Sequence, residues 1–329
     1  MTAAQHDDRL VALMAWVQQV LGSDQLSCEP ASADASFRRY FRFSDGIKTF
    51  IAMDAPPHKE DVRPFLHVCD LMLAAKVNVP QVLAKDVTRG YLLLSDLGAQ
   101  TYLDVLNDAN ADDLFLAAID SLIKWQRATK PGELPAYDTS LLQREINLFP
   151  EWYVAKHLQL ELSEPQRHLF EAMSKLIIKR NLAQASVFVH RDYMPRNLMI
   201  SLPNPGVLDF QDAVYGPISY DVASLFRDAF ISWPEDRIID GVVQYWERAR
   251  HASLPVPEDF GQFYCDVEWM GLQRHLKVLG IFARINYRDG KAKYLADTPR
   301  FVGYVRDVAG RYDELKPLLK LFDQLGIHA

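Results

Sequence analysis

Apolar positions at the start of the chain recur at helical spacing: Leu10, Leu13, Met14, Val17 and Leu21 follow one another by three or four residues. That pattern predicts an amphipathic helix over residues 1–21 with one buried face. From 27 to 53 the texture changes to short runs rich in β-branched and aromatic residues. Ser44-Asp45-Gly46 separates 40–43 from 47–53 as a hairpin turn would, so three antiparallel strands are expected. Helical spacing returns over 60–76 through Val62, Phe65, Leu66, Cys69 and Leu73, and Asn78-Val79-Pro80 ends it. Two more short strands, 82–85 and 91–94, flank a turn at Thr88-Arg89-Gly90.

Beyond Gly98 the helical period dominates, over 101–106, 111–128, 140–160, 164–180, 219–231, 234–251, 258–286 and 300–325. The exception is 187–208, where Val187-Phe188-Val189 and Leu198-Met199-Ile200 flank a polar loop and Val207-Leu208 follows. A strand-rich first third joined to a helix-rich remainder is an α+β organisation in two lobes, 1–97 and 98–329, meeting at a connector over 95–98. The cleft between such lobes is the expected ligand site.

The chain has 329 residues, nearly half of them apolar, and a formal net charge of −7, which offers no global attraction to nucleic acid. Cys28, Cys69 and Cys265 are far apart with no CxxC pair, which excludes a zinc ribbon and predicts buried free thiols in a reducing compartment. Residues 1–21 have no cationic lead and no small-residue cleavage site, and no window is continuously apolar over a membrane's thickness. A cytoplasmic protein with no membrane, nucleic-acid or obligate protein partner is therefore expected.

Chemistry concentrates in His190-Arg191-Asp192-Tyr193-Met194-Pro195-Arg196-Asn197, followed by Asp209-Phe210-Gln211. Phosphoryl transfer from ATP needs a carboxylate to orient and deprotonate the attacking hydroxyl, and oxygen ligands to hold Mg²⁺ on the phosphates. Asp192 is the candidate base, Asn197 and Asp209 the candidate metal ligands, and His190 a brace for the loop. Asp221, just ahead of the apolar Val222-Ala223-Ser224-Leu225-Phe226, is placed to cap that helix and to accept hydrogen bonds from the loop backbone. Asp212 reads equally as a supporting or a solvated carboxylate.

These segments, with Gly216-Pro217-Ile218-Ser219-Tyr220-Asp221-Val222-Ala223, resemble the aminoglycoside and choline kinases, which carry HxDxxxxN, a metal-binding Asp and GxPxxYDLA at similar spacing. Within that group, residues 53–57, 147–152 and 273–284 look like the kinases of cell-wall recycling that phosphorylate amino sugars at the anomeric hydroxyl. The likeness spans about residues 32–312. It implies a protein-kinase-like fold, ATP and Mg²⁺ as cofactors, and N-acetylmuramate or N-acetylglucosamine as acceptor. An aminoglycoside, a choline-like amine or another small alcohol is the alternative acceptor, and an inactive nucleotide-binding regulator the alternative class.

Kinases commonly cover the phosphates with a glycine-rich loop and anchor them with a strand lysine. Here residues 32–37 contain no glycine, and Met53 stands where the lysine is expected. Ser36, Arg38, Arg39 and Arg42 are the candidate substitutes. Ser95, Asp96 and Leu97 resemble the connector whose backbone pairs with adenine, and Met199 and Leu208 are either its apolar walls or ordinary core. Trp269, Leu272, Leu276, Leu279 and Ala283 form one stripe of the 258–286 helix, with Arg274, Lys277 and Arg284 on another. The basic stripe faces either an anionic substrate or solvent. Glu145 and Trp152, seven apart, read either as sugar contacts or as a surface carboxylate and a core indole.

Overall fold

The computed structural model describes residues 7–32 and 37–328. The chain forms two compact units, one of residues 1–100 with 199–212, the other of 101–198 with 213–329. The first unit therefore includes a late segment that a linear boundary at 97/98 leaves in the second.

The first unit opens with α1 (Asp8–Leu21), capped by Asp7, whose carboxylate accepts from the Leu10 amide at 3.1 Å. Strands β1 (Ser27–Ser32), β2 (Arg39–Ser44) and β3 (Thr49–Asp54) precede α2 (Arg63–Ala74), and β4 (Val82–Asp86) and β5 (Tyr91–Ser95) follow it. All pair antiparallel, in the order β1-β2-β3-β5-β4. The β2–β3 turn is closed by the Asp45 carboxylate, which accepts from the amides of Ile47 and Lys48 at 2.8 and 2.7 Å. With a side-chain period of two, Phe41, Phe43, Ala52, Tyr91 and Leu93 come to one face and bury Leu13, Trp16 and Val17 of α1. The end of β3 carries Asp54, fully buried, with Arg9 from α1 and Arg39 from β2 both on its carboxylate. Two guanidinium groups thus tie the helix to the sheet through one anion.

The second unit comprises α3 (Tyr102–Val105), α4 (Ala111–Arg127), α5 (Thr139–Ile146), a π-helical segment Phe149–His157 and α6 (Glu164–Leu182) before β6 (Ser186–Val189). The short hairpin of β7 (Leu198–Met199) and β8 (Gly206–Val207) comes next in the chain, then β9 (Val214–Pro217), which pairs antiparallel with β6. The helices α7 (Tyr220–Phe226), α8 (Glu235–His251), α9 (Phe260–Asp289), α10 (Thr298–Arg311) and α11 (Lys316–Gln324) complete the unit. Among the described residues no helix is long and apolar enough to cross a membrane.

Three helical expectations are corrected. The 140–160 helix stops at Ile146 and resumes as the π segment with Pro150 in its first turn, because proline lacks the amide a continuous helix needs and clashes with the preceding turn. The 300–325 helix is split by the 3₁₀ turn Asp313–Leu315, and Pro317 opens α11. The 219–231 helix ends at Phe226. The α9 helix also differs from a one-striped amphipathic helix: every residue from Asp266 to Gly280 is buried. A helix buried all round is the central element of its unit. The three cysteines are free, as expected, but only Cys69 is buried, with Cys28 and Cys265 partly exposed.

Gly280 marks the tightest approach to α9, since a Cβ there would lie 2.3 Å from the Leu148 carbonyl carbon, whereas one at Gly310 would meet nothing within 4 Å. Gly280→Ala should therefore cost about 1–3 kcal/mol through overpacking against backbone, and Gly310→Ala should stabilise α10 by about 0.5 kcal/mol. Urea unfolding midpoints that move the same way in both variants would contradict this packing.

Candidate active site

Strand β6 ends at Val189, opposite Val214, and the chain turns at once into the loop that the sequence singles out. The loop is held from below by Asp221, fully buried in the first turn of α7. Its two carboxylate oxygens accept from the amides of His190 at 2.7 Å and Arg191 at 2.9 Å. Burial pushes the Asp221 carboxyl up to about 7, the two amides and Arg274 pull it back, and the nearby Asp192 charge adds to the rise. His190 is 1% exposed, and its Nδ1 accepts from the Asp192 amide at 3.2 Å. Tyr193 anchors the loop to α4 by donating to the Ala118 carbonyl at 2.8 Å. Asn197 donates through Nδ2 to the Asp192 carbonyl at 2.9 Å, a bond that does not use its amide oxygen. Asp192 is itself partly exposed, and Arg191 beside it has φ +78°.

Behind this loop lies an ionic cluster. The Glu145 carboxylate, its side chain 6% exposed, pairs with the Arg191 guanidinium and with the Lys277 ammonium at 3.0 Å. Tyr137 donates to it as well, and Gln273 approaches at 3.4 Å. Burial raises the Glu145 carboxyl, but the charges of Lys277 and Arg191 outweigh that and hold it at about 2. Arg274 and Lys277 are 2% and 6% exposed. The two thus form neither a solvated face nor an open stripe, and Arg284 is half-buried. Arg274 reaches toward the sulfur of Met194 at 3.8 Å, and its Nη1 is buried without a hydrogen-bond partner. Glu145 is not a surface carboxylate, and Trp152, half-buried, lies on the separate π segment rather than seven positions along one helix.

The remaining expected residues fall in the first unit, where Ser95 closes β5 and accepts from the Gln81 amide at 2.8 Å. Asp96 binds the Arg42 guanidinium at 2.7 and 3.2 Å, and Arg42 also reaches the Gly98 carbonyl at 2.8 Å. Leu97 and Met199 converge on Gly206, where a Cβ would lie 2.8 Å from Leu97 Cδ1 and 3.3 Å from Met199 Cβ. Met199 is buried, and Leu208 is half-buried. Met53, at the expected lysine position, is fully buried. Arg39 donates to Asp54 at 2.5 and 3.1 Å and pairs with Asp7. Its charge is thus already matched within the sheet. Arg38 is half-buried, and Ser36 lies outside the described residues.

Asp209 follows β8 with φ +62°, a conformation uncommon for a side-chain-bearing residue. The Gln211 amide donates to its carboxylate at 2.7 Å, and Phe210 is locked against Phe65 with ring centroids 4.8 Å apart. Asn197 offers an amide oxygen and Asp209 a carboxylate, both hard donors of the kind Mg²⁺ takes beside phosphate oxygens, so the donor chemistry fits that ion.

Residues 27–256 match the phosphotransferase enzyme family. This chain belongs to that family. Relatives of the phosphotransferase are similar over most of their length. An N-acetylmuramate/N-acetylglucosamine kinase of Pseudomonas putida is 50% identical over 98% of both chains. One of Pseudomonas aeruginosa with the same name is 53% identical over 90% of this chain and 88% of its own. The fold is shared with Plasmodium vivax ethanolamine kinase, at a TM-score of 0.68 and 9% identity, covering 94% of this chain and 93% of that one. The antiparallel sheet and helix-rich remainder are accordingly the α+β, protein-kinase-like arrangement.

Sequence reasoning missed Arg191, Tyr137, Tyr220 and Gln273 as members of the ionic cluster. Arg191 was visible between His190 and Asp192, but its counter-ion is 46 positions away and carries no local signal. Because the Glu145 carboxyl titrates at about 2 rather than the ordinary 4.5, its contribution to stability is complete above pH 4.5 and is lost as pH falls toward 2. Wild type and Glu145→Gln should therefore differ most in urea stability above pH 4.5 and converge below it. A gap that stays constant across that window would show that Glu145 is not held ionised by its neighbours.

Proposed function

We propose that this phosphotransferase moves the γ-phosphoryl of ATP to the anomeric hydroxyl of N-acetylmuramate and N-acetylglucosamine, giving the sugar 1-phosphate in cell-wall recycling. The observation that carries the reading is the His190–Asn197 loop, its amides gripped by Asp221 and its Asp192 partly exposed, in a chain half identical to kinases named for those two sugars.

Asp192 accepts the proton of O1 as the oxygen attacks phosphorus. An anomeric hydroxyl is more acidic than an ordinary sugar alcohol because the ring oxygen stabilises the developing anion, so a carboxylate suffices as base. His190 and Asp221 keep the loop backbone from turning as the proton moves. Asn197 and Asp209 would hold Mg²⁺, which when bound neutralises charge on the phosphates. Ser95, Asp96 and Leu97 offer backbone groups to adenine, with Met199 and Leu208 beside the ring. Trp152 remains a candidate for stacking on the sugar. With Arg274 and Lys277 buried, the basic stripe no longer argues for an anionic acceptor, and the choice of sugar rests on the relatives. For the phosphates, Arg38, Arg39 and Arg42 stand as candidates, Arg39 also serving Asp54 and Asp7 and Arg42 serving Asp96.

Asp192→Asn should lower kcat by at least about a hundredfold while retaining ATP binding; near-normal turnover in the folded variant would remove the base. Phosphorus NMR of the product from N-acetylglucosamine should show a phosphate coupled to the anomeric proton, and the methyl glycoside should not react. A 6-phosphate would overturn the anomeric assignment. At least one of Arg38→Ala and Arg39→Ala should raise the KM for ATP several-fold; unchanged KM and kcat in both would show that these arginines do not hold the phosphates.

A further inference from the structure

Arg191 occupies a backbone conformation that favours glycine. At φ +78° a side-chain-bearing residue is strained, and relaxation of that strain would rotate the peptide leading into Asp192. The restraint is visible in the side chain. The guanidinium pairs with Glu145 and lies 5.6 Å over the Tyr137 ring. The same Glu145 oxygen takes the Lys277 ammonium at 3.0 Å, and Lys277 donates in turn to the Tyr220 hydroxyl at 3.1 Å. Tyr137 and Gln273 address the second oxygen.

We propose that Glu145, supported by Lys277, is a positioning residue for phosphoryl transfer: a buried anion that clamps Arg191 in its left-handed conformation and so aims the Asp192 carboxylate. The proposal rests on the reading of Asp192 as the proton acceptor. A carboxylate has about four acceptor directions, and Arg191, Lys277, Tyr137 and Gln273 occupy them, leaving none for a sugar hydroxyl. Nor is the cluster an economical source of stability, because desolvating charged groups offsets most of what their attraction returns. The charges do balance once the loop is counted: Arg191 and Lys277 face Glu145 and Asp192. Burial works against both cations, but Glu145 foremost and Asp192 to a lesser degree hold them in the charged form. The clamp and the base thus belong to one electrostatic group.

Steady-state kinetics of the full chain with Mg²⁺-ATP and N-acetylglucosamine test this. Glu145→Gln keeps the shape but removes the charge, and kcat should fall at least about tenfold with both KM values within about twofold. Lys277→Met should lose less, since a one-to-one Glu145 and Arg191 pair remains. At position 191 both Gly and Ala delete the guanidinium, but only glycine is at ease at this φ. Arg191→Gly should therefore retain several-fold more kcat than Arg191→Ala, and adding Arg191→Gly to Glu145→Gln should recover kcat toward that of Arg191→Gly alone. The comparison at 191 stands even if Glu145→Gln does not fold. A folded Glu145→Gln enzyme with normal kcat beside an inactive Asp192→Asn would overturn the clamp and leave the base standing. A raised sugar KM at unchanged kcat would make Glu145 a substrate contact instead, and equal kcat for the Gly and Ala variants would also overturn the clamp. Loss of kcat in Glu145→Gln and Arg191→Ala beside an active Asp192→Asn would dismiss the base and, with it, the aiming of Asp192 that the clamp is proposed to serve.

Discussion

Asp221 and the two amides it accepts from are the interaction on which the shape of the His190–Asn197 loop depends. A fully buried carboxylate without donors would be costly, and a loop turning sharply out of β6 presents unsatisfied amides at His190 and Arg191. Each deficit supplies the other's remedy. Because Asp221 sits in the first turn of α7, and α7 packs against α8 and α9, the height of the loop is set by the helical core rather than by the loop's own residues. The Tyr193 bond to α4 and the Asn197 bond to the Asp192 carbonyl then fix orientation around that point.

In the first unit, charge is arranged along a different line. Asp54 and Asp96 are largely buried carboxylates, one at the end of β3 and one just past β5, and each is met by strand arginines. Arginine suits such positions because its planar fork can engage a carboxylate with two parallel donors. These pairings organise the sheet and its connector, and two of the arginines that the sequence offers as phosphate contacts, Arg39 and Arg42, take part in them.

The strands and most helices were legible because their signal is local: a period of two over 39–54 and a period near 3.6 over 8–21 and 111–127. The His190–Asn197 motif stands out in the sequence for the same reason, since its residues lie within eight positions. The helix breaks at Pro150 and Pro317 are masked in the sequence by an apolar period that continues across them. The burial of α9 on every side was not legible. Arg274, Gln273 and Lys277 read as a polar face, and only the distant Glu145 and Tyr220 reveal that they are internal. Pairings across such separations leave no trace in periodicity.

The return of residues 199–212 to the first unit has a consequence for how the chain comes into being. Gln100 receives its backbone partner from Ile200, and the Asn78 carbonyl receives its own from Val207. As the polypeptide leaves the ribosome, the five-stranded sheet is complete early, yet those partners are not synthesised until the whole of 101–198 has emerged. The first unit therefore waits, unfinished, for nearly a third of the protein to be made. No single cleavage of the chain can release it whole, and a gene fragment ending at residue 100 encodes a sheet without its floor.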